Sequence, residues 1–501
     1  MAITTTAEIA QRLTANSSML TTHATDANIA VGNASLDAIA GNGGACNIAI
    51  GKSSLSAATN NNDNIAIGRS ALAASEDDGD QNIAIGLLAL GAADVSGDAN
   101  IAIGSYAADL VTSGTHNVAL GYASYSAATT GNSNVSIGYN SMYSGVVTGH
   151  RNVSIGECSL HNLTSSCDSV AIGWKALGAA TTGCENIAIG TSALGAGIVG
   201  GNSAQGNYNI GIGISAGQAV TAATDNVFIG RASGDSIQTG NYNVALGLNA
   251  LGASVSGGSN VAIGHDALAA TTSSLSYNIA IGWLALGGGN TSGAYNIAMG
   301  RDALTTLTTG DYNVAIGAFS ADVLTTGVCN VAIGRGALGA ATAHSCSNVA
   351  IGELAIGTGA GGTSGGQGSF NVALGKSALS ALTTGASNIA IGNAAMDAIT
   401  TGATNVGIGS DALGASITGS HNVAIGNQAG AGAVTGASNV LVGHDTGNAI
   451  TSGACNIAVG KDALGAASAL SCSYVSIGEL AMGTGVGGGT AGQGSINIGI
   501  G

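Results

Sequence analysis

The sequence predicts an all-β fold, a parallel β-solenoid (β-roll or β-helix) of about 27 coils in which one coil is completed every 17–18 positions. Three observations predict it. A pentad Asn-(Ile/Val)-small-aliphatic-Gly recurs from Asn28 to Asn497. Its apolar residues alternate with period two, the periodicity of a strand. Glycine supplies 85 of the 501 residues and proline none. Such a chain can turn sharply at short intervals, and each strand N–H remains available to a neighbouring coil.

The pentads begin at Asn28, Asn47, Asn64, Asn82, Asn100 and so on to Asn497, 27 in all, with Ser169 and Tyr474 replacing the leading Asn. Successive starts lie 17 or 18 positions apart, except for one step of 19 after Asn28 and three of 23 before Asn209, Asn371 and Asn497. Positions two and four are aliphatic, position five is always Gly, and position three is small except at Phe228 and Leu441. Two variable residues follow, then a small residue and usually Leu, as in Ala71-Leu72 and Ala303-Leu304, then a turn such as Thr308-Thr309-Gly310. A unit this short cannot enclose a core by itself. Stacked, it offers columns of Ile, Val and Leu that are expected to bury one another. At ~4.8 Å per coil the stack would form a rod of roughly 130 Å. The leading Asn is expected to form an internal amide ladder of the kind that stabilises cross-β stacks. Its members include Asn47, Asn64, Asn82, Asn100, Asn186, Asn260, Asn313, Asn388 and Asn422.

The eight cysteines include three pairs whose numbers differ by 17: Cys167 and Cys184, Cys329 and Cys346, Cys455 and Cys472. One period is one coil, so each pair is a candidate inter-coil disulfide, formed outside a reducing cytosol. The alternative, reduced thiols at a small-residue position, stays open. Cys46 and Cys158 have no partner at this spacing, and Cys158, His161 and Cys167 make only a partial zinc set, so no metal site is assigned. Each pair precedes a longer Gly-rich loop, at about 191–208, 353–370 and 479–496, available for lateral contact or simply tolerated.

Residues 1–27 break the pattern and are read as an N-terminal cap or attachment segment. Thr5 and Glu8 can form a capping box for a short helix carrying Ile9 and Leu13. Residues 28–501 are expected to form the solenoid, ending on the Gly of a pentad, read either as an open end docking head-to-tail on another subunit or as a piece of a longer repetitive protein.

No catalytic residue, cofactor or metal is assigned. Gly213–Gly217 matches GxSxG by letters, but it is a pentad end with no helix after it. The glycine triplets at Gly357 and Gly483 likewise do not open a helix in a βαβ unit. With 10 basic against 26 acidic residues, nucleic acid is excluded as a partner. No apolar run approaches the roughly 20 residues of a membrane span. Lys52, Arg69, Arg231, Arg301, Arg335, Lys376 and Lys461 directly follow a pentad Gly. They are read as a charged solvent-facing edge, with a ligand stripe as the sharper alternative. Ranks of turn Thr invite comparison with ice-binding solenoids, but they lie in turns rather than along a strand.

The run (Thr/Ser)-Gly-x-x-Asn-(Val/Ile)-Ala-(Ile/Val)-Gly-x-x-Ala-(Leu/Met), as in Thr384–Met396 and Ser452–Leu464, resembles repeats of viral and phage fibre proteins. It is also similar to head repeats of trimeric autotransporter adhesins, over residues 28–501. The period of 17–18 is longer than in those heads, so trimerisation is not carried over. No charged n-region and apolar h-region opens the chain. The expectation is a non-enzymatic structural subunit of an extracellular or virion-associated fibre, its partner another copy of itself. The alternative is an adhesin recognising glycans or cell surfaces.

Overall fold

The computed structural model describes residues 21–23, 27–38, 44–76, 79–144, 147–195, 206–270, 276–289, 291–339, 345–357, 368–415, 418–432, 434–465, 473–482 and 497–501. The expected helix near residues 5–13, Cys472 and the interiors of the three long loops lie outside them. The chain divides into two compact units, Met1–Asn243 and Val244–Gly501, each a parallel β-solenoid, and no α-helix occurs among the described residues.

In the first unit, strand Thr21–His23 pairs antiparallel with Asn28–Val31. From there every strand pairs in parallel with the next, ending at Val227–Ile229. The second unit repeats this from Val244–Leu246 to Asn497–Ile500. Register joins equivalent pentad positions: Ile48 with Ile65, Ala49 with Ala66, Ile50 with Ile67. The longest intervals keep that register, Ile187 facing Ile210 and Val349 facing Val372. Their extra residues are therefore accommodated outside the strand ladder.

Coil-to-coil bonding continues beyond the strand. Ser70 N donates to Lys52 O of the preceding coil, and Leu72 N to Ala89 O of the following one. This rules proline out of more positions than the strand alone would. It also requires left-handed backbone at three non-glycine positions per coil: the residue before the Asn, and the second and fourth after the Gly. Asp63, Ser70 and Leu72 have φ of 57°, 55° and 50°. Such residues cost roughly 1–2 kcal/mol each, offset by the inter-coil hydrogen bonds and by burial of the Leu. The pentad Gly is different in kind. Gly51 has φ 139°, and a Cβ there would overlap the Gly68 carbonyl of the next coil.

The core is inverted relative to the expectation. Position three is buried in essentially every described strand, whereas positions two and four are half-exposed or exposed. The buried columns are the position-three Ala, the Ala and Leu three and four residues after the Gly, and a further turn aliphatic such as Leu307 or Leu382. The Ile and Val columns therefore face outward instead of burying one another. At position three the space left beside the buried Leu of the same coil stack is small. At Gly211 even a methyl would crowd Leu194 Cγ, at 2.9 Å. Where position three is Phe228, the neighbouring Leu sites shrink to Gly217 and Gly234, both against the ring. Leu441 is matched in the same way by Gly430 and Gly447. The large position-three residue thus occupies space vacated at the neighbouring Leu sites, as a close-packed interior demands.

The Asn column lies inside and spans three coils per side chain. Asn313 Nδ2 donates to Asn296 Oδ1 of the preceding coil at 3.0 Å and to Gly327 O of the next at 2.8 Å. Its Oδ1 accepts from Asn330 N at 3.1 Å and from Asn330 Nδ2 at 3.0 Å. The bond from a backbone N–H to the preceding coil's Oδ1 recurs along the column: Asn47, Asn64, Asn82 and Asn100 donate it, Asn186 and Asn260 accept it, and Asn388 and Asn422 donate it. At Ser169 a hydroxyl substitutes, accepting from Asn186 N at 3.3 Å. Turn carbonyls and strand starts are thereby locked together, which holds the outward strand face in fixed register.

Candidate functional site

The strand alternation that buries Ala49 must turn Ile48 and Ile50 the other way. Repeated in register, this gives each unit two parallel columns of branched aliphatics on one face. Ile389 and Ile391 are 38% and 36% exposed, and Leu246 and Ile457 are more exposed still. With two such side chains per strand, each unit offers on the order of 1,000 Å² of apolar surface, beyond the roughly 300–600 Å² of the largest patch on a typical monomer. No charged residue occupies either column in the described strands.

Two exposed columns flank this face. One is the left-handed residue before each Asn, which carries Tyr277, Tyr295 and Tyr312. Their rings stack at 4.9 and 5.0 Å with interplanar angles of 1° and 3°. Arg151 and Asp168 pair in the same column at 2.6 Å, and the guanidinium holds the Asp168 carboxyl below its ordinary range. The other column follows the Gly and contains the basic residues seen in the sequence. Arg335 and Lys376 both bind Glu353 of the coil between them, Lys376 at 3.5 Å, which holds that carboxyl low, chiefly through the Arg335 hydrogen bond. Arg301 pairs with Asp302 at 3.5 Å and Lys461 with Asp462 at 3.8 Å. In the second unit the basic residues are thus interleaved with carboxylates rather than forming a continuous cationic stripe.

The described cysteines are all thiols. Cys167 and Cys184 occupy the same place on adjacent coils, two residues before Ser169 and Asn186, with their Sγ atoms 2.6 Å apart. Burial and the neighbouring thiol push Cys167 up to about 12. Cys329 and Cys346 are out of register. Cys329 immediately precedes Asn330 and is exposed, whereas Cys346 stands two residues before Asn348. The step from Asn330 to Asn348 is one position longer than the cysteine spacing, so the two thiols miss each other by one position, and successive side chains diverge. Cys455, just before Asn456, shares the Cys329 position.

Among the described residues no cluster of three or more His, Cys, Asp or Glu could hold a metal ion. The Gly213–Gly217 stretch forms the same bend as other coils, Ser215 standing where Ser53 and Ser70 do. Sequence reasoning missed two features: the outward direction of the aliphatic face and a tyrosine-lined cavity near Tyr122. The Tyr spacings that build the cavity were readable, but which columns adjoin was not. No helix of the described residues is long and apolar enough to cross a membrane. Comparison with protein-family models, curated proteins and solved structures finds no match. The class defined by the fold is therefore the parallel β-solenoid.

Proposed function

We propose that the protein is a structural subunit of a fibre or filament on a cell or virion surface, assembled side by side through its outward aliphatic columns. The observation that carries this reading is the pair of in-register Ile/Val columns, half-exposed along each unit. A second copy is the occupant that fits best. Its knobs repeat at the same ~4.8 Å pitch, so every coil can interdigitate, which a partner of different pitch cannot do. The area of the face also lies in the range of a standard interface, about 800 Å² per partner. End-on, head-to-tail growth is the other route. The antiparallel strand Thr21–His23 lies along the edge of Asn28–Val31, where an incoming parallel coil would have to pair, and this favours the lateral route. The resemblance to fibre and adhesin-head repeats supports the same class. An adhesive role rests on the exposed tyrosine stack alone.

The test is sedimentation and electron microscopy of the full chain beside Ile389→Lys/Ile391→Lys, with circular dichroism as the folding control. Wild type should form concentration-dependent assemblies, and the variant should keep its strand signal while shifting toward smaller species. A wild type that stays monomeric, or assemblies the variant leaves intact, would refute lateral packing.

A further inference from the structure

Three successive coils of the first unit line a half-open cavity of about 230 Å³ formed by Tyr106, Asp109, Tyr122, Ala123, Ser126 and Tyr143. Its two walls come from different columns. Tyr122 directly follows Gly121 and Tyr106 is the second residue after Gly104; Asp109, Ser126 and Tyr143 are each the fifth residue after Gly104, Gly121 and Gly138. Tyr106 meets Tyr122 edge-on, with centroids 5.8 Å apart and planes at 70°. Two rings in that relation leave an inside corner bounded by ring faces. Tyr122 is held from the far side by Tyr139, stacked at 5.4 Å and 13°, and Tyr143 is backed by the His161 ring at 5.5 Å. The corner is thus braced before any ligand arrives.

The charged group in this cavity is the Asp109 carboxylate, beside the hydroxyls of Ser126 and the three tyrosines. Ser126 Oγ donates to Asp109 Oδ1 at 2.6 Å, and among the described residues no basic side chain is ion-paired with Asp109. Asp109 is half-buried, and burial raises its pKa. Ring faces carry the negative end of the aromatic quadrupole. Aromatic rings beside a carboxylate without an ion-paired basic side chain favour an organic cation over an anion.

We propose that this cavity binds a methylated ammonium group, seated in the Tyr106–Tyr122 corner with its charge facing Asp109. A small alkylammonium suits the volume, which lies below the roughly 300–1,000 Å³ of drug-sized pockets. Tyr143 also lines the cavity, and Ser126 fixes the carboxylate. This is independent of whether copies pack side by side, because the cavity uses neither aliphatic column. A sugar ring is the competing ligand. It prefers a flat aromatic platform, whereas here Tyr106 and Tyr122 meet at 70° beside a carboxylate.

The test uses the full chain and calorimetric titration with choline chloride, beside its uncharged isostere 3,3-dimethylbutanol. Choline should bind saturably and the isostere should not. Asp109→Asn, which keeps shape and removes charge, and Tyr122→Leu, which keeps bulk and removes the ring, should each weaken choline roughly tenfold. Their melting curves should match wild type, since Tyr122 is half-exposed. Trimethyl-lysine peptide and phosphatidylcholine vesicles then distinguish the source. Tighter binding of either than of choline places the group on a protein or on a lipid. Equal binding of the neutral isostere, displacement of choline by glucose or galactose, or no saturable choline binding overturns the proposal. Loss of assembly in the Ile389→Lys/Ile391→Lys variant with choline binding intact separates this inference from the fibre reading.

Discussion

Replacing Asn313 tests the amide ladder where its bonding is complete. Asn313→Ala removes donors to Asn296 Oδ1 and Gly327 O, and acceptors for Asn330 N and Asn330 Nδ2. Two of those partners keep another bond: Asn296 Oδ1 still accepts from Asn313 N, and Asn330 Nδ2 still donates to Ser345 O. The Asn330 N–H and the Gly327 carbonyl lose the ladder partner inside the stack. At about 1–3 kcal/mol for each unsatisfied buried group, the expected loss is about 2–6 kcal/mol. Asn313→Ser should lose roughly half as much, because the Ser169 hydroxyl already shows that a serine accepts from the next coil's N–H. Since coils interact mainly with neighbours, the damage is expected to be local, and a single global unfolding energy would blur it. Hydrogen exchange at the Asn330 amide, read beside a urea melt, resolves it. The order of protection should be wild type, then Ser, then Ala. An Ala variant with unchanged exchange, or a Ser variant worse than Ala, would refute the ladder as a source of stability.

Three further outcomes follow from the same geometry. Ala315→Leu should cost about 1–3 kcal/mol by overpacking, while Ile316→Thr on the outward side should cost under about 1 kcal/mol; comparable losses at both sites would contradict the inverted core. Oxidised glutathione, accepting the electrons, should join Cys167 to Cys184 but leave Cys329 and Cys346 unlinked in peptide mass maps. The reaction should be slow at neutral pH, because burial holds the Cys167 thiol protonated and the thiolate is the attacking species. Burial also raises Asp235, Asp322 and Asp397 above their ordinary 3.8. Their stability contribution is fully present below that value and is lost as pH rises through the raised folded values. The urea midpoint should therefore fall as pH rises from the ordinary 3.8 through the raised folded values, and Asp235→Asn/Asp322→Asn should flatten that fall. A midpoint that falls on acidification would run against this.

The repeat, its strand position, its in-register stacking and its internal Asn column were all legible in the residues, because each depends on a period and a period is a one-dimensional property. The obligate fifth glycine was legible too, although its cause is an inter-coil approach. Even the packing exceptions left a trace: Phe228 and Leu441 coincide with Gly217, Gly234, Gly430 and Gly447 where Leu is usual.

Direction was decided only in three dimensions. A period of two says that Ile48 and Ala49 face opposite ways but not which way is inward, and hydrophobicity by itself chose the wrong side. The packed interior reversed it, since beside Leu194 even a methyl group at Gly211 would be crowded. The left-handed residues, Leu72 among them, carry no local signal, because propensity would have put Gly or Asn there. Register within a coil likewise separated Cys167 and Cys184, which meet, from Cys329 and Cys346, which are offset although their spacing is the same. Spacing along a chain fixes a contact only when the length of the intervening coil is known, and that length is set by how the turn closes against its neighbours.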